Sequence, residues 1–98
     1  MKKGEYKKAI EALEGVDVND TYVAAMAIGM QGDCYSELGN FKKAKEFLET
    51  GVDLIIDDAS LEINFYVQLG EAFNGLGDMK KKEQYFTKAD ALIKKQKR

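Results

Sequence analysis

Residues 38–47 read LGNFKKAKEF and residues 76–85 read LGDMKKKEQY. Residues 4–13, GEYKKAIEAL, are a shorter echo of both. In each stretch a glycine is followed by an acidic or amide residue, then an aromatic or Met, then two lysines. The aligned glycines Gly4, Gly39 and Gly77 stand 35 and 38 residues apart. A self-similar period of that length is the mark of stacked helical repeats.

The residues between these glycines have helical spacing. Phe41, Ala44, Leu48, Val52 and Ile55 step by three or four and form one stripe. Leu61, Phe65, Leu69, Phe73 and Leu76 form a second. Met79, Phe86, Ala89 and Ile93 form a third, interrupted at Lys82. Sustained strand-like alternation is absent. The pattern predicts helices over about 5–14, 20–38, 41–57, 61–76 and 79–96. Asp20, Asn40, Ser60 and Asp78 are N-cap residue types placed before apolar periodicity. Gly39 and Gly77 follow Leu38 and Leu76, where a left-handed residue ends a helix. LGN and LGD are therefore stop-and-restart signals, and turns this short lay successive helices antiparallel. The expected fold is all-α, antiparallel helix–turn–helix units stacked on one another.

Composition narrows the function classes. The 98 residues suit one small domain, 1–98, with 45% hydrophobic and 33% charged residues. A net charge of −2 argues against a dedicated nucleic-acid binder. No apolar run is long enough to span a membrane, and Met1-Lys2-Lys3 leads into no apolar signal segment. The compartment stays open between the cytoplasm and, with a leader removed, a bacterial envelope. The absence of proline suits a chain that is helical almost throughout. The absence of histidine removes the commonest general base and transition-metal ligand.

The pattern resembles the tetratricopeptide repeat. In 66–89, YVQLGEAFNGLGDMKKKEQYFTKA, the residues Tyr66, Leu69, Gly70, Phe73, Gly77, Phe86 and Ala89 stand at that family's spacing. Gly32, Tyr35, Gly39, Phe41, Ala44 and Leu48 match in the preceding unit, with Ile28 in the place usual for Trp. Gly4, Tyr6, Ala9 and Leu13 match a second helix alone. The resemblance implies a right-handed α-solenoid, with a partial repeat at 4–16 and full repeats at 20–57 and 60–96. Gly32 and Gly70 are expected to let helices approach closely, as are Ala9 and Ala44, with aromatics filling the wedge. Lys82 departs from the small residue expected at a crossing; it either snorkels or loosens the last helix. The longer spacing of 38 predicts an extra helical turn within 51–65. Both ends are second helices and are expected to expose apolar surface, which points to a longer array or to packing against another copy. The wording of 20–44, DTYVAAMAIGMQGDCYSELGNFKKA, resembles bacterial repeat proteins, several of them concerned with cell-envelope assembly.

Residue chemistry beyond the repeat is sparse. Cys34 has no histidine to activate it and reads as a small buried apolar residue. Asp57-Asp58 lacks the ligand spacing of a calcium loop and reads as inter-helix acids that favour the next helix start. The lysine groups at 7–8, 42–43 and 80–82 read as a solvated face in preference to a basic ridge. The tail KKQKR, 94–98, is a basic end, favourable at a helix C-terminus. Met and aromatic residues at helical spacing read as core, and no cofactor box or metal motif is present.

The resemblance implies a peptide groove along the first helices of the units. Carried over by position, it comprises Met26, Gly29, Asp33, Ser36 and Glu37, then Asn64, Val67, Glu71 and Asn74. Gly29 and Val67 stand where family members that grip a terminal carboxylate carry lysine, and Asp33 and Glu71 add negative charge. The groove is thus expected to favour a neutral or basic protein segment over an acidic tail. The chain reads as a non-catalytic interaction scaffold. Self-association through the end helices, as a homodimer, is the alternative. Acid–base catalysis by Asp33, Glu37 or Glu71 would need a closed pocket that an open groove does not supply.

Overall fold

The computed structural model describes residues 3–13, 21–55 and 58–96. Among them the elements are α1 (Lys3–Leu13), α2 (Thr21–Glu37), α3 (Phe41–Asp53), α4 (Ala59–Gly75) and α5 (Met79–Gln96). Each helix packs chiefly on its neighbour in the chain, and α2 also touches α4. The result is an all-α stack with extents of 40 × 33 × 20 Å.

The repeated glycines do what their spacing implies. Gly39 has φ 81° and Gly77 has φ 79°, and nothing lies within 4 Å of a Cβ built at either. Glycine is required there by backbone conformation and not by space. At the first turn the Gly39 N–H donates to the Ser36 carbonyl and the Asn40 N–H to the Tyr35 carbonyl, both at 2.9 Å. The second turn repeats this with Gly77 to Asn74 and Asp78 to Phe73. These paired bonds satisfy the orphan carbonyls of the ending helix. Asn40 and Asp78 also open the next helix: their side chains accept from Lys43 N–H at 3.3 Å and Lys81 N–H at 3.1 Å. One residue thus closes one helix with its backbone and starts the next with its side chain.

The connection between the two pairs differs from the sequence expectation. Helix α3 ends at Asp53, where Leu54 and Ile55 N–H groups bond back three residues to Gly51 and Val52. That tighter winding stops the helix and lets Ile55 pack on the core. The extra turn expected within 51–65 is not a continuation of α3, which ends at Asp53, while α4 begins at Ala59, two residues before the expected start. The cap of α4 is Asp58, which accepts from Leu61 N–H at 3.0 Å. Ser60, expected as the cap, lies exposed in the first turn. Asp20 and Asp57 lie outside the described residues.

The central core consists of Ala44 and Leu48 from α3 with Phe65, Leu69, Ala72 and Phe73 from α4. Phe65, 2% exposed, holds α4 against two other helices. A Cβ built on Gly29 of α2 would lie 2.7 Å from its ring, and one on Gly51 of α3 only 2.4 Å from it. Gly32 meets Leu48 and Gly70 meets Phe86 in the same way, at 2.7 and 2.5 Å. Those two close approaches were expected; the pair around Phe65 was not. Lys82, at the last crossing, is half-buried.

The lysines at 7–8, 42–43 and 80–81 are exposed, and one in each of the last two groups also reaches an aromatic ring. Lys43 Nζ lies 5.8 Å from the centre of the Tyr35 ring, and Lys81 Nζ lies 5.6 Å from that of Phe73. These pairs are equivalent positions of the two full repeats, so Lys43 and Lys81 cover the same ring site. Lys88 adds a similar contact at 5.2 Å from Tyr85, whose ring stacks on Phe73.

The two kinds of glycine predict different behaviour on urea denaturation. Gly77→Ala should cost about 1–2 kcal/mol through its left-handed backbone. Gly51→Ala should cost about 1–3 kcal/mol through overlap with Phe65. In a Phe65→Leu background the Gly51→Ala penalty should shrink, whereas the Gly77→Ala penalty should not. Equal penalties in both backgrounds would show that Gly51 and Phe65 are not coupled.

Candidate functional site

Helix α2 has an unusual division of labour. Its buried positions are Ala24, Ala25, Ala27, Gly29, Gln31, Gly32 and Cys34, nearly all small. Small residues let α2 lie close to α1, α3 and α4 at once. Three of its larger apolar residues are left outside: Tyr22 is 54% exposed, Met26 41% and Met30 55%. They are spaced by four and make one row along the helix. The expectation that Met and aromatic residues are core fails here, and at Met79 of α5, also exposed.

Beside this row lies a recess of about 150 Å³ between α2 and α4. Helix α2 contributes Met26, Gly29, Met30 and Asp33, and α4 contributes Leu61, Asn64, Phe65 and Gln68. Phe65 thus serves both the core and this recess. Of the groove residues expected from sequence, Met26, Gly29, Asp33 and Asn64 are brought together. Gly29, however, is buried and offers its backbone, not an exposed side-chain position. Ser36 and Val67 are half-buried, and Glu37, Glu71 and Asn74 are exposed, all outside the recess. Met30, Leu61 and Gln68 were missed. Met30 was findable, because it stands one turn beyond Met26 and two beyond Tyr22.

The electrostatics around Asp33 are acidic. Partial burial, then the neighbouring Glu37 charge, raises the Asp33 carboxyl above its ordinary value. Glu37 accepts a long 3.4 Å hydrogen bond from the Tyr6 hydroxyl of α1. Partial burial and the Glu37 charge hold that phenol protonated by raising it. Behind the row, the Gln31 amide donates to the Ile10 carbonyl at 3.2 Å. This buried bond satisfies a carbonyl in the last turn of α1 and ties it to α2. The sequence offered no signal for it.

The remaining chemistry is structural. The Cys34 thiol is buried and free, and burial followed by the Asp33 and Glu37 charges raises its pKa. That environment disfavours the nucleophilic thiolate. Among the described residues no three Cys, Asp or Glu side chains converge as a metal site. No helix of the described residues is long and apolar enough to cross a membrane. A second recess, about 230 Å³, lies between Ile28 of α2 and Glu46, Phe47 and Thr50 of α3.

Helix pairs in this arrangement, with the glycine turns at matching places, agree with a comparison of sequences. Residues 27–55 and 63–96 each match the tetratricopeptide repeat, together well over half of the chain. The chain belongs to the tetratricopeptide repeat family. Repeats of this family form protein–protein interaction scaffolds. Fifty-four per cent of the chain is also similar to lipopolysaccharide assembly protein B of Escherichia coli, in strain K12 and in O157:H7 alike, with 38% identity over 53 residues. The match spans only 14% of the length of those relatives. No solved structure matches the chain.

Two measurements check the site's electrostatics. Asp33 is more easily protonated folded than unfolded, so the folded state binds more protons and loses stability as pH rises through this range. Asp33→Asn should therefore raise Tm at neutral pH. The gain should disappear below the ordinary value of 3.8, where the carboxyl is protonated in both states. A neutral or lowered Tm at pH 7 would contradict this. Cys34 should react with a disulfide reagent at least about tenfold more slowly in the native chain than in urea.

Proposed function

We propose that this chain is a non-catalytic scaffold or adaptor that holds a neutral or basic protein segment against the cleft between α2 and α4. One observation carries the reading: an exposed row of Tyr22, Met26 and Met30 runs beside a recess edged by Asp33. Methionines make adaptable apolar contacts that accommodate varied partners. The carboxylates of Asp33, Glu37 and Glu71 on the same two helices favour cationic or uncharged segments and repel an acidic tail. The name of the matched relatives concerns lipopolysaccharide assembly, and an envelope-assembly protein is the first class of partner to test.

Isothermal calorimetry with a basic and an acidic peptide of equal length tests this reading. The basic peptide should bind more tightly and weaken as salt rises. Tighter binding of the acidic one would sink it. In pull-downs, Met30→Lys and Glu71→Lys should reduce capture of the same partner.

A second reading, self-association, is supported by α5. Phe41 of α3 packs its ring against Gly75, and Ile55 packs on the core. Their counterparts in the next repeat, Met79 and Ile93, are 46% and 37% exposed. A second copy covering this face would hide them. Light scattering over a concentration series should then show mass rising with concentration, and Ile93→Lys should abolish the rise. A constant monomer mass removes this reading.

A further inference from the structure

We infer that the recess between α2 and α4 is a pocket for a single long cationic side chain, an arginine of the partner segment, seated with its stem on Met26 and Met30 and its head at Asp33. This deepens the groove reading and rests on it.

The dimensions come first. About 150 Å³ accommodates one side chain and leaves no room for a stretch of backbone. The walls are apolar along the depth, with Met26 and Met30 on one side and Leu61 on the other, and Phe65 contributes from the core. The polar groups are Asp33, Asn64 and Gln68. A purely aliphatic anchor would leave those three groups facing it without hydrogen bonds, at a desolvation cost. A short acidic or hydroxyl side chain would leave the methionine walls uncovered. A side chain with an aliphatic stem and a multiply donating head satisfies both parts.

Charge and hydrogen-bond capacity choose the head. Asp33 is a carboxylate acceptor, and the Asn64 and Gln68 amide oxygens add two more. A guanidinium carries five N–H donors in a planar fork and serves several acceptors at once, where an ammonium serves as a point charge. Among the described residues Asp33 has no cationic partner, and the Lys94–Asp90 ion pair lies far along α5. Glu37, one turn on, adds to the negative potential. Gly29 keeps the approach low: with no Cβ, it brings the α2 backbone onto the Phe65 ring at this point.

The test uses the full chain, butylguanidinium as an arginine side-chain probe and butylurea as its neutral isostere, with the Met26 and Met30 methyl resonances as NMR reporters. Butylguanidinium should shift both methyls saturably, and butylurea should bind at least about threefold more weakly. Asp33→Asn should bring the two probes to equal affinity, and Asp33→Glu should restore the preference. Asp33 is exposed, so neither variant threatens the fold. Equal shifts from both probes, or none, overturn the pocket. The groove reading fails differently. If peptides bind at the cleft while butylguanidinium shows no preference, the arginine pocket is wrong and the groove stands. If butylguanidinium binds but no peptide does, the pocket stands and the groove reading falls.

Discussion

The contact on which the assembly depends is the ring of Phe65 set between two backbones. It stands on α4 and reaches Gly29 of α2 and Gly51 of α3, at distances that admit no Cβ on either. This joins the first helix pair to the second, because α2 and α3 belong to one and α4 to the other. An aromatic ring buries much apolar area without requiring a hydrogen bond, so one residue can hold three helices at their closest approach. Solenoid stability comes from such nearest-neighbour interfaces, and a change here is felt across the whole stack.

The same constraint produces the exposed surface. Because α2 is approached from several sides, its inward positions are filled by alanine, glycine and cysteine. Helical geometry then sends three of its larger apolar residues outward along Tyr22, Met26 and Met30. A helix composed this way has no strong polar face, and its apolar row is left where α4 cannot cover it. The cleft with its acidic edge follows from close packing behind it, and the candidate site and the core share Phe65.

Much of the architecture was legible in the residues. Turns at Gly39 and Gly77 announced themselves, because a left-handed residue followed by an N-cap type is a local signal needing no partner. The unit pattern was legible for the same reason: apolar period and cap chemistry are properties of neighbours in sequence. The end of α3 was not, since Leu54 and Ile55 carry no stop signal and the break reflects how Ile55 meets the core. Choosing between Ser60 and Asp58 as cap likewise required knowing where that break falls.

For the candidate site, sequence alone determined helix type, repeat phase and the acidic character contributed by Asp33, Glu37 and Glu71. Tertiary structure decided which of these residues meet. Asp33 and Asn64 share a recess with Met30 and Gln68, whereas Ser36, Glu71 and Asn74 do not. It also decided that Gly29 is a contact and not a groove position, and that Lys43 and Lys81 cover aromatic rings. The physical reason is common to all of these. Periodicity specifies which residues share a face of one helix, but the facing helix determines whether that face is filled, lined or left open.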